Sequence, residues 1–228
     1  MKPHDAETPG KGVIIDFDFA AMDGSRLLFE TAQQFLKRLD DIGLDRVTEA
    51  KYLAGRDYLD GLTAYFALVK TKKTPQKAAR ELAAAFAAAL VRQVPESITV
   101  AFRNFVKALS DRGVRVVLAT RANIEAVKPA FEPMLGESVV LHQEASPCYG
   151  GVNWDSWRRA CVANGLSRPS TIAVTGSGHG VKSALVAGMG SIAVAREHVA
   201  YQDFGGADQV VTELSAPTAR QVLEVLRV

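Results

Sequence analysis

Two hydrophobic rhythms divide the chain. GVIIDF at residues 12–17 is an almost continuous apolar run, the pattern of a strand buried on both faces of a parallel sheet. From Leu27 the period lengthens, and Leu28, Ala32, Phe35 and Leu39 fall on one helical face with Gly43 as the stop. A second helical pattern covers Tyr52 to Lys70. A third opens at Thr74-Pro75, an N-cap followed by proline at the first helical position, and Leu82, Phe86 and Leu90 then recur at spacing four. No strand pattern occurs between about residues 25 and 95. After Pro95 a helix marked by Ile98, Phe102, Phe105 and Leu109 leads into alternating elements. The strands are RVVLAT (115–120), SVVLH (138–142), TIAVT (171–175), SIAVA (191–195) and QVV (209–211), with helices near 123–134, 155–164, 180–188 and 217–227. This alternation predicts an α/β fold, a doubly wound, Rossmann-like parallel sheet with an all-helical module inserted after its first strand. The expected organisation is a flexible leader at 1–10, a core at 11–24 and 96–228, and the helical module at 25–95.

Composition narrows the function classes. With 48% hydrophobic residues, 228 residues bury a substantial core. A net charge of +2, from 27 basic and 25 acidic residues without a basic block, gives no reason to expect a nucleic-acid or membrane-surface partner. The opening MKPHDAETPGKG has no apolar signal region and no long apolar run follows, so a cytoplasmic location is the expectation. Cys148 and Cys161 lack CxxC spacing and are expected as free thiols.

In an open α/β sheet, ligands sit beyond the carboxyl ends of the strands. Three strands here end in suitable residues: Asp16 and Asp18, then Thr120, then the stretch from Thr175 to Gly180. On these residues the chain resembles the haloacid dehalogenase-like (HAD) superfamily, in its phosphatase-type branch with a helical cap. DFDFAAMD puts Asp16, Asp18 and Asp23 in register with the first motif, VVLATR puts Thr120 in the second, and TIAVTGSGHGVKSALVAGMGSIAVA follows the fourth. The resemblance implies that residues 25–95 are the cap. It also implies a hydrolase, in particular a phosphomonoesterase for a small metabolite, with Asp16 as nucleophile and Asp18 as acid/base, and a small phosphorylated or carboxylated molecule is the expected ligand. Thr120 would hold a phosphoryl oxygen and Asp16 and Asp18 would be the magnesium ligands; from their positions at the strand ends, Arg121 and Ser177 are further candidates for binding the phosphate.

Two parts of the pattern are missing. Gly151, Val152 or Asn153 occupies the place of the third-motif lysine, and Thr175 and Gly176 stand where fourth-motif acids would help to hold magnesium. Asp16 meeting a phosphate dianion near 4 Å faces about 4 kcal/mol of repulsion per unit charge pair at an effective dielectric near 20. Magnesium and lysine normally cancel that charge. Arg121 is the best placed substitute, with Lys128, His179 and Lys182 as weaker ones. The glycines of GSGHG could instead let backbone amides cradle an anion. Phe19 either packs under the cap or narrows the site, and Tyr149, Trp154 and Trp157 are expected as core or cap contacts, with a substrate-facing Trp154 as the alternative. A catalytically deficient protein that keeps a ligand or partner in the cleft is the competing reading.

Overall fold

The computed structural model describes residues 10–144 and 153–227. The chain runs β1 (Gly10–Asp16), α1 (Phe17–Ala20), α2 (Gly24–Asp40), α3 (Arg46–Tyr52), α4 (Tyr58–Val69), α5 (Pro75–Ser97) and α6 (Val100–Ser110). It continues through β2 (Arg115–Thr120), α7 (Ile124–Phe131), β3 (Val139–Gln143), α8 (Trp154–Ala163), β4 (Leu166–Thr175), α9 (Gly178–Val186), β5 (Gly190–Val194), β6 (Gln209–Val211) and α10 (Ala216–Leu226). The six strands form one sheet of order β3-β2-β1-β4-β5-β6, all pairs parallel, as the alternating pattern requires. The polar leader lies outside the described residues except for Gly10, which opens β1.

β1 is the central strand, and Val13, Ile14 and Ile15 are completely buried because helices cover both sheet faces. Its odd residues, Val13 and Ile15, join Val116, Leu118, Ile172 and Val174 in the main hydrophobic cluster, which continues through Leu28, Leu53, Leu62, Leu82 and Phe86 of the helical insertion. Ile14 faces the other way, onto Val117, Trp157, Ala160 and Cys161.

Local chemistry sets where three of these helices begin. Asp23 and Asp45 accept from backbone amides three residues on, and Asp57 accepts from Leu59 and Asp60, closing the first turns of α2, α3 and α4. Two expectations need correction. The helix expected from Tyr52 to Lys70 begins only at Tyr58, as α4, and a separate helix α3 ends at Tyr52. Ile98, expected as the first marker of the next helix, is instead the C-cap of α5, which runs through Pro95 to Ser97, and α6 begins at Val100. No helix among the described residues is long and apolar enough to cross a membrane.

Candidate functional site

The site is built where β1, β2 and β4 end side by side. Asp16 pairs with Ala119 on β2, and Ile15 with Val174 on β4, so Thr120 and Thr175 flank Asp16. The strand ends at Asp16 rather than running through Phe17. Phe17 starts a helical turn because its ring is anchored edge-on between Phe102 (5.4 Å) and Phe131 (4.8 Å). That turn sends Asp18 back toward the strand ends. Thr120 Oγ1 donates to Asp18 Oδ1 (2.6 Å), and the Arg121 backbone N–H donates to Asp18 Oδ2 (2.7 Å). Arg196, just past β5, clamps the turn by donating from Nη2 to the carbonyls of Ala20 (3.1 Å) and Ala21 (2.9 Å).

Arg121 is the centre of the arrangement. Its Nη1 donates to Asp16 Oδ1 and Asp18 Oδ2, both at 3.1 Å, and all three residues are buried. The Phe19 ring lies 5.0 Å from the guanidinium carbon and 6.1 Å from the Phe86 ring of α5, so it packs under the insertion and covers the cation at once. Glu144, beyond β3, is a third buried carboxylate within electrostatic reach of Arg121 and accepts from Ser156 Oγ at 2.7 Å. Tyr58 of α4 is also within that reach.

One guanidinium shared by two buried carboxylates leaves an excess of negative charge. Burial pushes Asp16 up to about 7 against the pull of Arg121, with Asp18 adding to the rise. Asp18 is raised by burial too, opposed by Arg121 and Thr120. Asp18 accepts from three donors and Asp16 from one, so Asp16 is the group that takes a proton near neutral pH. Burial alone would lower the Arg121 pKa, but Asp16, Asp18 and Glu144 raise it, and the guanidinium stays charged.

The loop after β4 differs from an open anion cradle. Ser177 Oγ accepts from the Gly180 N–H (3.0 Å) as the N-cap of α9, and the Gly178 N–H donates to the Gln202 side chain (2.8 Å). Two of the amides expected to hold an anion are therefore already engaged. A Cβ on Gly176 would overlap the Phe19 carbonyl, and one on Gly180 would overlap Thr175 Oγ1. His179 lies in the first turn of α9, half-buried, and packs against Gly55 of the insertion. Lys182 pairs with Asp203 at 3.1 Å, and Lys128 is exposed. Trp157 is core, its Nε1 donating to Ser183 Oγ (2.9 Å), whereas Trp154 is 50% exposed. Asp23 serves as the α2 cap. Tyr149, Cys148, Gly151 and Val152 lie outside the described residues.

The structure thus brings Asp16, Asp18, Thr120 and Arg121 into one cluster and adds Glu144, Arg196 and Tyr58, which sequence reasoning missed. Glu144 follows a strand end and was detectable on that ground. Nothing in the sequence marked the other two.

No protein-family model matches the sequence, and no curated protein matches it. Solved structures do match. A HAD hydrolase of family IA, variant 3, from Entamoeba histolytica is 16% identical, with 96% of this chain and 100% of that one covered at a TM-score of 0.70. β-Phosphoglucomutase from Clostridium difficile is 11% identical, with 96% and 97% covered at 0.69. CbbY from Rhodobacter sphaeroides in complex with phosphate is 18% identical, with 90% and 94% covered at 0.65. The fold is that of the HAD hydrolases.

Within the HAD fold the residues present do not fit magnesium. The ion prefers near-octahedral oxygen ligation. Among the described residues no group of three or more His, Cys, Asp or Glu side chains converges to hold a metal. The two aspartates that could contribute are bonded to a guanidinium instead. A divalent ion about 4 Å from that cation would meet roughly 8 kcal/mol of repulsion at an effective dielectric near 20.

Proposed function

We propose that this chain is a HAD-fold binding protein for a small carboxylated or phosphorylated metabolite, held at the carboxyl edge of the sheet without magnesium-dependent phosphoryl transfer. The observation that carries this reading is the sharing of Arg121 between Asp16 and Asp18 inside the fold. A nucleophile that is ion-paired, and protonated near neutral pH, is poorly suited to attack phosphorus. The other edge of the guanidinium supports ligand binding. Nε and Nη2 of Arg121 are buried without hydrogen-bond partners, and so are Asp16 Oδ2 and Thr175 Oγ1. That edge is a two-donor fork suited to a carboxylate or phosphate. Structures of this fold carry such ligands: CbbY is in complex with phosphate, and an aspartate-to-asparagine mutant of CbbY is in complex with xylulose 1,5-bisphosphate. In this reading α2–α5 act as the cap, closing over the site through Phe86 and Tyr58.

The second reading is a phosphomonoesterase with Asp16 as nucleophile and Asp18 as acid/base. It is favoured by the unpartnered Asp16 Oδ2 and by the hold of Thr120 on Asp18. A panel of phosphate esters with and without magnesium, run beside Asp16→Asn, separates the two. The binding reading expects no turnover in either protein, together with thermal stabilisation by inorganic phosphate or a panel ester that Arg121→Lys weakens. Magnesium-dependent turnover lost in Asp16→Asn would replace it with the esterase.

A further inference from the structure

The cation bound to the aspartate pair belongs to the chain itself. Arg121 Nη1 lies 3.1 Å from one oxygen of each aspartate, and the Arg121 side chain is 1% exposed. The guanidinium therefore sits between the two carboxylates as a divalent ion shared by both would. Phe19 covers it and itself lies 3% exposed. The surroundings then leave no room for an acid at Gly176, one of the two positions where it would help to hold an ion. Gly176 and Gly180 line the adjoining loop, where their Cβ atoms would strike the Phe19 carbonyl and Thr175 Oγ1. The Phe19 carbonyl cannot easily retreat, because its turn is held by the Arg196 bonds to Ala20 and Ala21.

We infer that Arg121 is a resident replacement for the divalent cation: it offsets part of the charge of the Asp16–Asp18 pair from within the fold, and close packing against the Phe19 carbonyl excludes an acid at Gly176 that would help to complete a metal site. This holds whether or not a metabolite binds, so it stands or falls apart from the binding reading above. It has a consequence in the opposite direction. Removing the guanidinium leaves two buried carboxylates facing one space, which is an incipient cation site.

Thermal denaturation with MgCl2 or MnCl2, alongside a Mn2+ binding titration by electron paramagnetic resonance, tests the inference. Wild type is expected to show no saturable Mn2+ binding and no stabilisation. Arg121→Ala is expected to melt lower than wild type and to regain about 5 °C or more with a large excess of divalent ion over its dissociation constant. Asp18→Asn in that background should abolish the recovery. A saturable Mn2+ titration in wild type that Asp16→Asn removes overturns the inference, and so does a folded Arg121→Ala indifferent to both ions. If Arg121→Ala does not fold, Arg121→Gln, similar in reach but uncharged, takes its place. Should neither fold, the wild-type titration decides alone: absence of binding upholds the replacement and saturable binding overturns it.

Discussion

Arg121 illustrates how one side chain fixes the state of its neighbours. A buried ion pair is weak evidence of net stabilisation, because desolvation offsets most of the attraction, but breaking one by removing a single partner costs about 3–5 kcal/mol. Here the loss exposes two carboxylates to each other. Arg121→Ala is therefore expected to lower the unfolding free energy by at least that amount in urea titrations. Combining it with Asp16→Asn should restore part of the loss, since the charge left uncompensated is smaller. Purely additive effects would show that Arg121 stabilises through packing on Phe19 rather than through the carboxylates. Thr120 has a narrower part: its hydroxyl donates to Asp18 and accepts from the Ala122 N–H (3.1 Å), which keeps the Asp18 carboxylate facing the strand ends.

At the scale of elements, the site depends on the close approach of α1 to the loop after β4. Gly176 lies directly beneath the Phe19 carbonyl, whereas Gly43, after α2, has open space around its Cβ position. Neither has the left-handed backbone that would itself require glycine. Gly176→Ala is expected to cost about 1–3 kcal/mol by overpacking, and Gly43→Ala close to nothing, in the same denaturation assay. Equal effects at the two positions would sink this account of the loop. Other elements could be read in advance. Strands announced themselves because runs such as RVVLAT and SIAVA are buried on both faces, and helices because Leu28, Ala32 and Phe35 repeat with the helical period. The gap between α3 and α4 was hidden: Tyr52 and Leu53 continue the apolar pattern, and the sequence does not show that Gly61 packs on the Tyr52 carbonyl, which a Cβ there would strike. Asp16, Asp18 and Thr120 were legible from their strand-end positions. The role of Arg121 was only a candidate, because an arginine after a strand normally reaches solvent, and its burial follows from Phe19 and Phe86 meeting across the helical insertion.

For the molecule as a whole, the insertion and the sheet share one hydrophobic cluster, and specific polar contacts also join them. Arg46 of α3 donates from Nη2 to the His198 carbonyl (2.7 Å), and Gly55 rests on His179. Glu49, on the same helix as Arg46, is 2% exposed, and burial pushes it up to about 7 with only Arg46 opposing. Burial raises the pKa of Tyr201 on the sheet side, and the Glu49 charge adds to that rise. Glu49 and Asp16 therefore give stability a definite pH dependence. Between the ordinary carboxylate range and about 7, the unfolded chain has released these protons while the folded chain still holds them. Stability then falls as pH rises, by up to about 1.4 kcal/mol per pH unit for each group, and levels off above their folded pKa values. His179 and His198, both lowered by burial, act with the opposite sign toward acid, so the informative quantity is the difference between variant and parent. The melting temperature of Glu49→Gln minus that of wild type is expected to rise steadily from about pH 4.5 to about pH 7 and then remain flat. Asp16→Asn should show a rise over a similar window, starting slightly lower because the ordinary aspartate value is 3.8 against 4.5 for glutamate. Melting curves that run parallel across this range would mean that Glu49 ionises in the folded protein as it does in water. The contact between α3 and the sheet would then be too open to hold a proton.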